Sequence, residues 1–405
     1  MTEWKQVKLG DICSYVCSGG TPKSNVEEYY NGGIPWLNTK EVDFNRIYET
    51  ERSISQLGFD NSSAKWVEPN TIVVAMYGAT AGKIGIIKNR MTTNQACCNL
   101  SINPMLADYN YVYYFLKTKY DYMLSLANGG AQQNLNAGII KQLEIPLPEL
   151  ETQKRIARIL SSLDDKIEVN NQINRNLEEQ AKAIFKSWFV DFEPFKDGKF
   201  VDSELGRIPK GWKTGKFTDV VQILGGGTPK TSIPEYWNGM IPFFTPKDVG
   251  DSIYTFATEK NLTEEGLNNC NSRLYPENTV FVTARGTVGK LALAGVPMAM
   301  NQSCYALVGK NVSPLFVFFL ALQVVETLKK IANGAVFDAI VTRDFETKSV
   351  IIPPEEAINR FVELIAPLFK MIHSNVIQNT TLVQSRDTLL PKLMSGEIEV
   401  SAIEN

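Results

Sequence analysis

The chain is written twice. Gly19-Gly-Thr-Pro-Lys23 recurs as Gly226-Gly-Thr-Pro-Lys230, 207 residues later. The register then holds without a gap from Gly19–Val42 against Gly226–Val249, with 13 identities in 24 positions, where ordinary residue frequencies give about one or two by chance. Further on, Thr80, Gly82 and Lys83 match Thr287, Gly289 and Lys290, Asn94-Gln95 matches Asn301-Gln302, and Cys97 matches Cys304. By Ala127-Asn-Gly129, which matches Ala332-Asn-Gly334, the offset is 205. So long a period excludes a solenoid, and 405 residues are too many for one ordinary core. The fold must be a duplicated unit.

Each unit opens with a mixed region. Short β-type runs, 71–76, 84–87 and 279–283, are punctuated by Gly-Thr-Pro and Asn-Gly turns,. Helices are expected near 109–126 and 314–331. That is an α+β layout. Each unit then closes on a long helix. Ile156, Leu160, Leu163, Ile167, Asn170, Asn174, Leu177, Ala181, Ile184 and Trp188 are spaced alternately by four and three. Adding 205 gives Phe361, Ile365, Leu368, Ile372, Asn375, Asn379, Leu382, Arg386, Leu389 and Leu393. Such spacing is a coiled-coil seam. Asn170, Asn174, Asn375 and Asn379 stand at matched positions, where a buried asparagine costs stability but fixes register. They favour a seam between the two helices over two helices each packed on its own domain. The 33 residues from Ile156 to Trp188 make about 50 Å of helix. Pro367 should bend the second helix or delay its regular part.

Composition removes several kinds of chemistry. Among 405 residues there is one histidine, His373, so a multi-histidine metal site is out and any triad would have to use that residue. The cysteines, Cys13, Cys17, Cys97, Cys98, Cys270 and Cys304, show no C-x-x-C pairing. They read as reduced, buried thiols, and Met1-Thr-Glu-Trp-Lys lacks a signal-peptide layout, so a cytoplasmic location is expected. No stretch is apolar enough to span a membrane. Net charge is -3, so a nucleic-acid surface must come from local clustering.

Gly78-Ala-Thr-Ala-Gly82-Lys83 is one residue short of a phosphate loop and is followed by Ile84, while its counterpart Gly286-Thr-Val-Gly289-Lys290 is shorter still. Neither can wrap a nucleotide phosphate and hold magnesium. A turn presenting a lysine fits better. Asn103-Pro104 is followed by Met105-Leu106, without the further proline and aromatic that an adenine methyltransferase uses on a flipped base. No catalytic residue and no metal site is assigned.

What remains is a surface for polar edges. In the first unit the candidates for DNA contact are Thr21, Lys23, Asn38, Lys40, Tyr77, Thr80, Lys83, Lys88 and Arg90, with Gln132, Gln133 and Asn134 as a possible reading loop. In the second they are Thr228, Lys230, Thr245, Lys247, Arg285, Thr287 and Lys290. Cations and hydroxyls serve phosphates, and Asn, Gln and Arg read base edges. Gly-Thr-Pro-Lys and Thr-x-Gly-Lys are common to both copies, whereas Tyr77 stands where Arg285 stands, and 43–66 and 250–274 hardly agree. A shared framework with divergent tips suggests two modules of one design reading different things.

The chain resembles the specificity subunits of type I DNA restriction–modification systems. Ile184-Phe-Lys-Ser-Trp-Phe-Val-Asp-Phe-Glu-Pro194 is similar to that family's central region, and Leu205-Gly-Arg-Ile-Pro-Lys-Gly-Trp212 to the entry of its second recognition domain. Leu389-Leu-Pro-Lys-Leu-Met-Ser-Gly-Glu-Ile-Glu-Val400 is similar to its C-terminal signature. Ile145-Pro-Leu-Pro148 with Gln153 and Ile156 matches its entry to the first long helix, and Ile352-Pro-Pro354 with Asn359 does so more weakly. The resemblance implies two target-recognition domains, 1–148 and 204–354, and two long antiparallel helices in conserved regions 149–203 and 355–405. It implies a chain that is not itself an enzyme and binds no cofactor. Two methyltransferase (M) subunits would use S-adenosylmethionine to methylate adenine, and restriction (R) subunits would use ATP and magnesium. Two other readings are a stand-alone two-headed DNA-binding protein and a protein scaffold with two heads. DNA binding with and without a methylating partner separates them.

Overall fold

The computed structural model describes residues 4–128, 135–331 and 339–400. They fall into two compact units, one formed by Met1–Lys166 with Leu382–Asn405 and one by Ile167–Thr381.

In the first unit the strands that position the site are β1 (Cys13–Ser18), β2 (Tyr30–Leu37), β3 (Asn45–Ile47), β4 (Ile72–Ala75), β5 (Ile84–Ile87), β6 (Met91–Thr93) and β7 (Cys97–Ile102). A five-stranded sheet has the order β1-β7-β4-β5-β3. Its strands are antiparallel except at the edge, where β3 runs parallel to β5 with Asn45 opposite Gly85. β4 reads Ile-Val-Val-Ala and is buried along its whole length. A β-branched run without polar alternation is what a strand covered on both faces requires. β2 and β6 pair in parallel in a second sheet. Helix α1 (Tyr109–Thr118) is capped by Asp108, whose carboxylate accepts from the Tyr111 amide at 3.0 Å,. Helix α2 (Tyr120–Asn128) follows, and then the long α3 (Leu150–Phe189).

The second unit repeats this plan. Its strands are β8 (Val221–Gly225), β9 (Trp237–Phe244), β10 (Tyr254–Thr255), β11 (Val280–Thr283), β12 (Leu291–Ala294), β13 (Ala299–Met300) and β14 (Cys304–Gly309). The sheet order β8-β14-β11-β12-β10 matches the first position for position, again with a parallel edge strand. Here one helix, α4 (Pro314–Ile331), does the work of α1 and α2, and α5 (Glu355–Met394) is the second long helix.

Within the second unit α3 and α5 are joined by a ladder of amides. Asn170 Nδ2 donates to Gln378 Oε1 and Asn379 Oδ1, Asn375 Nδ2 donates to Asn174 Oδ1, and Asn379 Nδ2 donates to Asn171 Oδ1, each at 2.8 Å. As one partner number rises the other falls, so the helices run antiparallel. Around the ladder Leu177, Ala181, Phe361, Ile365 and Ile372 are buried. Phe185 also packs on its own body, with its ring centroid 5.4 Å from Phe319 and 5.7 Å from Phe361. In the first unit Ile156, Leu160 and Leu393 are buried in the same core as α1. Packing between the helices and packing on a domain are therefore both realised. α5 continues through Pro367 without interruption. The delayed start expected from Pro367 does not occur, because the flanking turns are held by the buried Ile365, Phe369 and Ile372, which offsets the lost backbone bond. Among the described residues no helix is long and apolar enough to cross a membrane.

Candidate nucleic-acid interface

Strand directions gather the duplicated motifs at one end of each sheet. In the first unit β1 ends at Ser18 opposite Cys98, β4 ends at Ala75 opposite Cys97, and β2 ends at Leu37 beside Thr93. The loops 19–23, 38–41, 76–83 and 94–96 therefore form one rim. Glycine is required where the rim is tightest: a Cβ on Gly19 would lie 2.1 Å from the Thr93 carbonyl oxygen, and one on Gly226 would lie 2.2 Å from that of Asn301,.

Hydrogen bonds stitch the rim together. The Thr21 hydroxyl donates to Gln95. Asn94 Nδ2 donates to Asn38 Oδ1 at 3.2 Å, and the Thr80 hydroxyl donates to the Thr39 carbonyl at 2.6 Å. In the second unit the Thr228 hydroxyl donates to Gln302, the Thr245 hydroxyl to Asp248 at 2.7 Å, and the Thr287 hydroxyl to the Pro246 carbonyl at 3.3 Å. The candidates shared between copies are thus largely committed to holding the rim's shape.

What the rim presents differs. The Met76 amide bonds to the Ala96 carbonyl at 2.8 Å and places Tyr77, half exposed at 50%. The Ala284 amide bonds to the Ser303 carbonyl at 2.8 Å and places the exposed Arg285 at the equivalent point. Lys40 pairs with Glu51, Lys83 Nζ lies 2.7 Å from Asp43, and Lys247 Nζ lies 3.7 Å from Glu259. Lys23, Lys230 and Lys290 are exposed, and among the described residues their side chains make no ion pair.

Lys88 and Arg90 are not on this rim. They follow β5, at the far end of the β4–β5 hairpin, with Lys88 about 17 Å from Lys83 at strand rise. Lys88 donates to Asn70 at 3.0 Å, and Arg90 lies over the Trp66 ring and 2.9 Å from Glu68. Gln132, Gln133 and Asn134 lie outside the described residues. Three features escaped the sequence reading. Gln95 and Gln302 hold the rim threonines, a role that their recurrence beside Asn94 and Asn301 could have signalled. Arg52 lies over the rings of Tyr30 and Trp36, and Lys260 lies over Trp237. The two are equivalent, since the Trp36 amide bonds to the Arg52 carbonyl and the Phe243 amide to the Lys260 carbonyl, each at 3.0 Å; a one-residue shift of the offset to 208 hides the repeat of Thr50-Glu-Arg52 as Thr258-Glu-Lys260.

The groups that could do covalent chemistry are poorly placed for it. His373 packs against Tyr254 and Phe256 with Nε2 3.3 Å from Glu277, beside the end of β12 remote from the rim. Burial pushes the Cys13 thiol up to about 11, and those of Cys97, Cys98 and Cys304 up to about 12. They stay protonated and unreactive near neutrality. Among the described residues no group of three or more His, Cys, Asp or Glu could hold a metal ion.

A family model for the type I restriction modification DNA specificity domain matches residues 1–179 and 209–380. The type I restriction enzyme MjaIX specificity subunit of Methanocaldococcus jannaschii is 31% identical over 413 residues, spanning 99% of this chain and 95% of that one. The HindI specificity subunit of Haemophilus influenzae is 25% identical over 466 residues, spanning 98% and 100%. Among solved structures, the S subunit of a type I restriction–modification system from M. genitalium matches with a TM-score of 0.56 at 19% identity, covering 96% of each chain. The last speaks to the fold.

Proposed function

The chain belongs to the family of type I restriction–modification DNA specificity subunits, and we propose that its two rims each read one half of a split double-stranded DNA site. The observation that carries this is one framework built twice with different groups at its edge, Tyr77 in one copy and Arg285 in the other. Two copies of one scaffold with unlike tips suit two unlike half-sites better than a symmetric one. On this reading the recognition domains are 1–148 and 204–354, and regions 149–203 and 355–405 carry the paired helices. A spacer of fixed length needs a stiff element, and two antiparallel helices of 40 residues each supply it.

The chain then contributes recognition and no catalytic residue. Two methyltransferase subunits dock along the helices and methylate adenine with S-adenosylmethionine, and restriction subunits add ATP- and magnesium-dependent cleavage, all in the cytoplasm. The near-neutral net charge fits this division, since the methyltransferase subunits supply most phosphate contacts. Within each rim the shared threonines set the geometry, and the exposed Lys23, Tyr77, Lys230, Arg285 and Lys290 touch DNA. The test is DNA footprinting of the full chain with and without its methyltransferase partner. Weak, salt-sensitive protection alone that becomes a tight two-part footprint with the partner supports the reading. A tight footprint from the chain alone at physiological salt overturns the division of labour.

A further inference from the structure

We infer that the two rims are electrostatically unequal: the second unit grips DNA phosphate through Lys290, while the matching Lys83 of the first unit is held back by Asp43. The inference rests on the rims being the DNA-facing surfaces and says which of them supplies charge.

Lys83 and Lys290 occupy the same point in the duplicated turn. Each follows a glycine of positive φ, Gly82 at +80° and Gly289 at +73°, and each leads directly into a buried strand, β5 or β12. Their surroundings differ in whether a carboxylate pairs with the lysine. Asp43 follows Val42 in the first unit, and its carboxylate lies 2.7 Å from Lys83 Nζ. Gly250-Asp251 follows Val249 in the second, and among the described residues Asp251 makes no ion pair with Lys290. Two other acids of the second rim, Asp248 and Glu259, are engaged elsewhere. The Asp248 carboxylate accepts from the Thr245 amide and hydroxyl and from the Glu259 amide, each at 2.7 Å, and Glu259 faces Lys247. Lys290 is exposed and has no ion pair among the described residues.

The consequence follows from counterion release. A free lysine that meets a phosphate displaces a condensed cation from DNA, and the equilibrium acquires that much salt dependence. A lysine already neutralised by a carboxylate must first give up that partner, and the carboxylate is then left facing the DNA. At this turn the first rim is therefore silent and keeps Lys23 as its exposed, unpaired lysine, whereas the second has both Lys230 and Lys290 and presents Arg285 where the first presents Tyr77. Salt-sensitive affinity concentrates in the second unit.

The difference can be transplanted. Gly250 has no positive φ, and a Cβ there meets nothing within 4 Å, so Gly250→Asp fits without strain. Asp43 is largely exposed, so Asp43→Ala leaves no hole. The full chain, wild type and variants, is titrated by fluorescence anisotropy into a labelled duplex of mixed sequence over a series of KCl concentrations. Lys290→Ala and Gly250→Asp should each lower the slope of log affinity against log salt by about one. Lys83→Ala should leave it unchanged, and Asp43→Ala should raise it by about one. Equal losses from Lys83→Ala and Lys290→Ala overturn the inference, as does an unchanged slope in Gly250→Asp. If the wild-type chain binds no duplex at low salt, alone or with its methyltransferase partner, the DNA-facing reading of the rims fails first, and the inference falls with it. Unfolding curves recorded alongside check that each variant is folded.

Discussion

Arg386 is the odd member of the second seam, and replacing it should show what it holds. Its Nη1 lies 2.6 Å from Asp164 Oδ1, with the two side chains 13% and 20% exposed. Asp164 Oδ2 accepts the Tyr114 hydroxyl at 2.6 Å, so the pair also ties α1 to the helices of the first unit. Breaking one side of a fully buried pair costs about 3–5 kcal/mol. Asp164 keeps some solvent and its tyrosine, so Arg386→Met should destabilise the first unit by about 2–3 kcal/mol. Asp164→Asn keeps an acceptor for Tyr114, and Arg386 keeps Asp387 at 2.8 Å, so that change should cost about 1–2 kcal/mol. In the double variant no charge is stranded, methionine fills an otherwise apolar seam, and the loss should return to about 1 kcal/mol. Urea unfolding followed by far-UV circular dichroism measures all four proteins. The double variant must be more stable than Arg386→Met alone. A single variant within about 0.5 kcal/mol of wild type, or simple additivity, would refute the reasoning.

Other consequences are as direct. Gly226→Ala forces a Cβ to 2.2 Å from a carbonyl oxygen, whereas the adjacent Gly225→Ala meets nothing within 4 Å; the first should lose about 3 kcal/mol or fail to fold and the second should lose under about 1, as thermal unfolding will show. Iodoacetamide at about pH 8 should leave Cys13, Cys97, Cys98 and Cys304 unmodified in the folded chain and label them all after denaturation, a contrast read by mass spectrometry. Burial holds the Glu178 carboxyl above the usual range. That side chain thus favours the fold only when protonated, and its contribution is lost as pH rises through its folded value. Glu178→Gln should then be more stable than wild type at neutral pH, with the gap closing in acid; paired urea titrations at the two pH values check it.

Much of the architecture could be read from the residues because duplication constrains a fold twice. The offset of 207 foretold two copies of one α+β unit, and the order of their sheets came from the structure. Alternating spacings of four and three foretold both long helices, although α3 begins at Leu150 rather than Ile156, because its first turn has no seam residue to announce it. The break between α1 and α2 at Lys119 left no such mark, since the apolar period runs through it. The site was less legible. Lys83 and Lys88 are five residues apart yet sit at opposite ends of a hairpin, while Asp43, forty residues from Lys83, is its partner. The recurring threonines looked like DNA contacts because hydroxyls suit phosphates, but their hydrogen bonds run inward to Gln95, Gln302 and backbone carbonyls. Recurrence marked the scaffold and the exposed Lys23 and Lys230 alike, while Tyr77 and Arg285 lie where the copies disagree.

The central claim is that two unlike modules specify two half-sites at a fixed gap. Co-expression of the chain with its methyltransferase partner, followed by mapping of N6-methyladenine at single-base resolution, tests it most directly. The account predicts one split motif with two short defined halves, only the second of which changes when residues 204–354 are replaced by those of a relative. A continuous motif, or a replacement that alters both halves together, would contradict it.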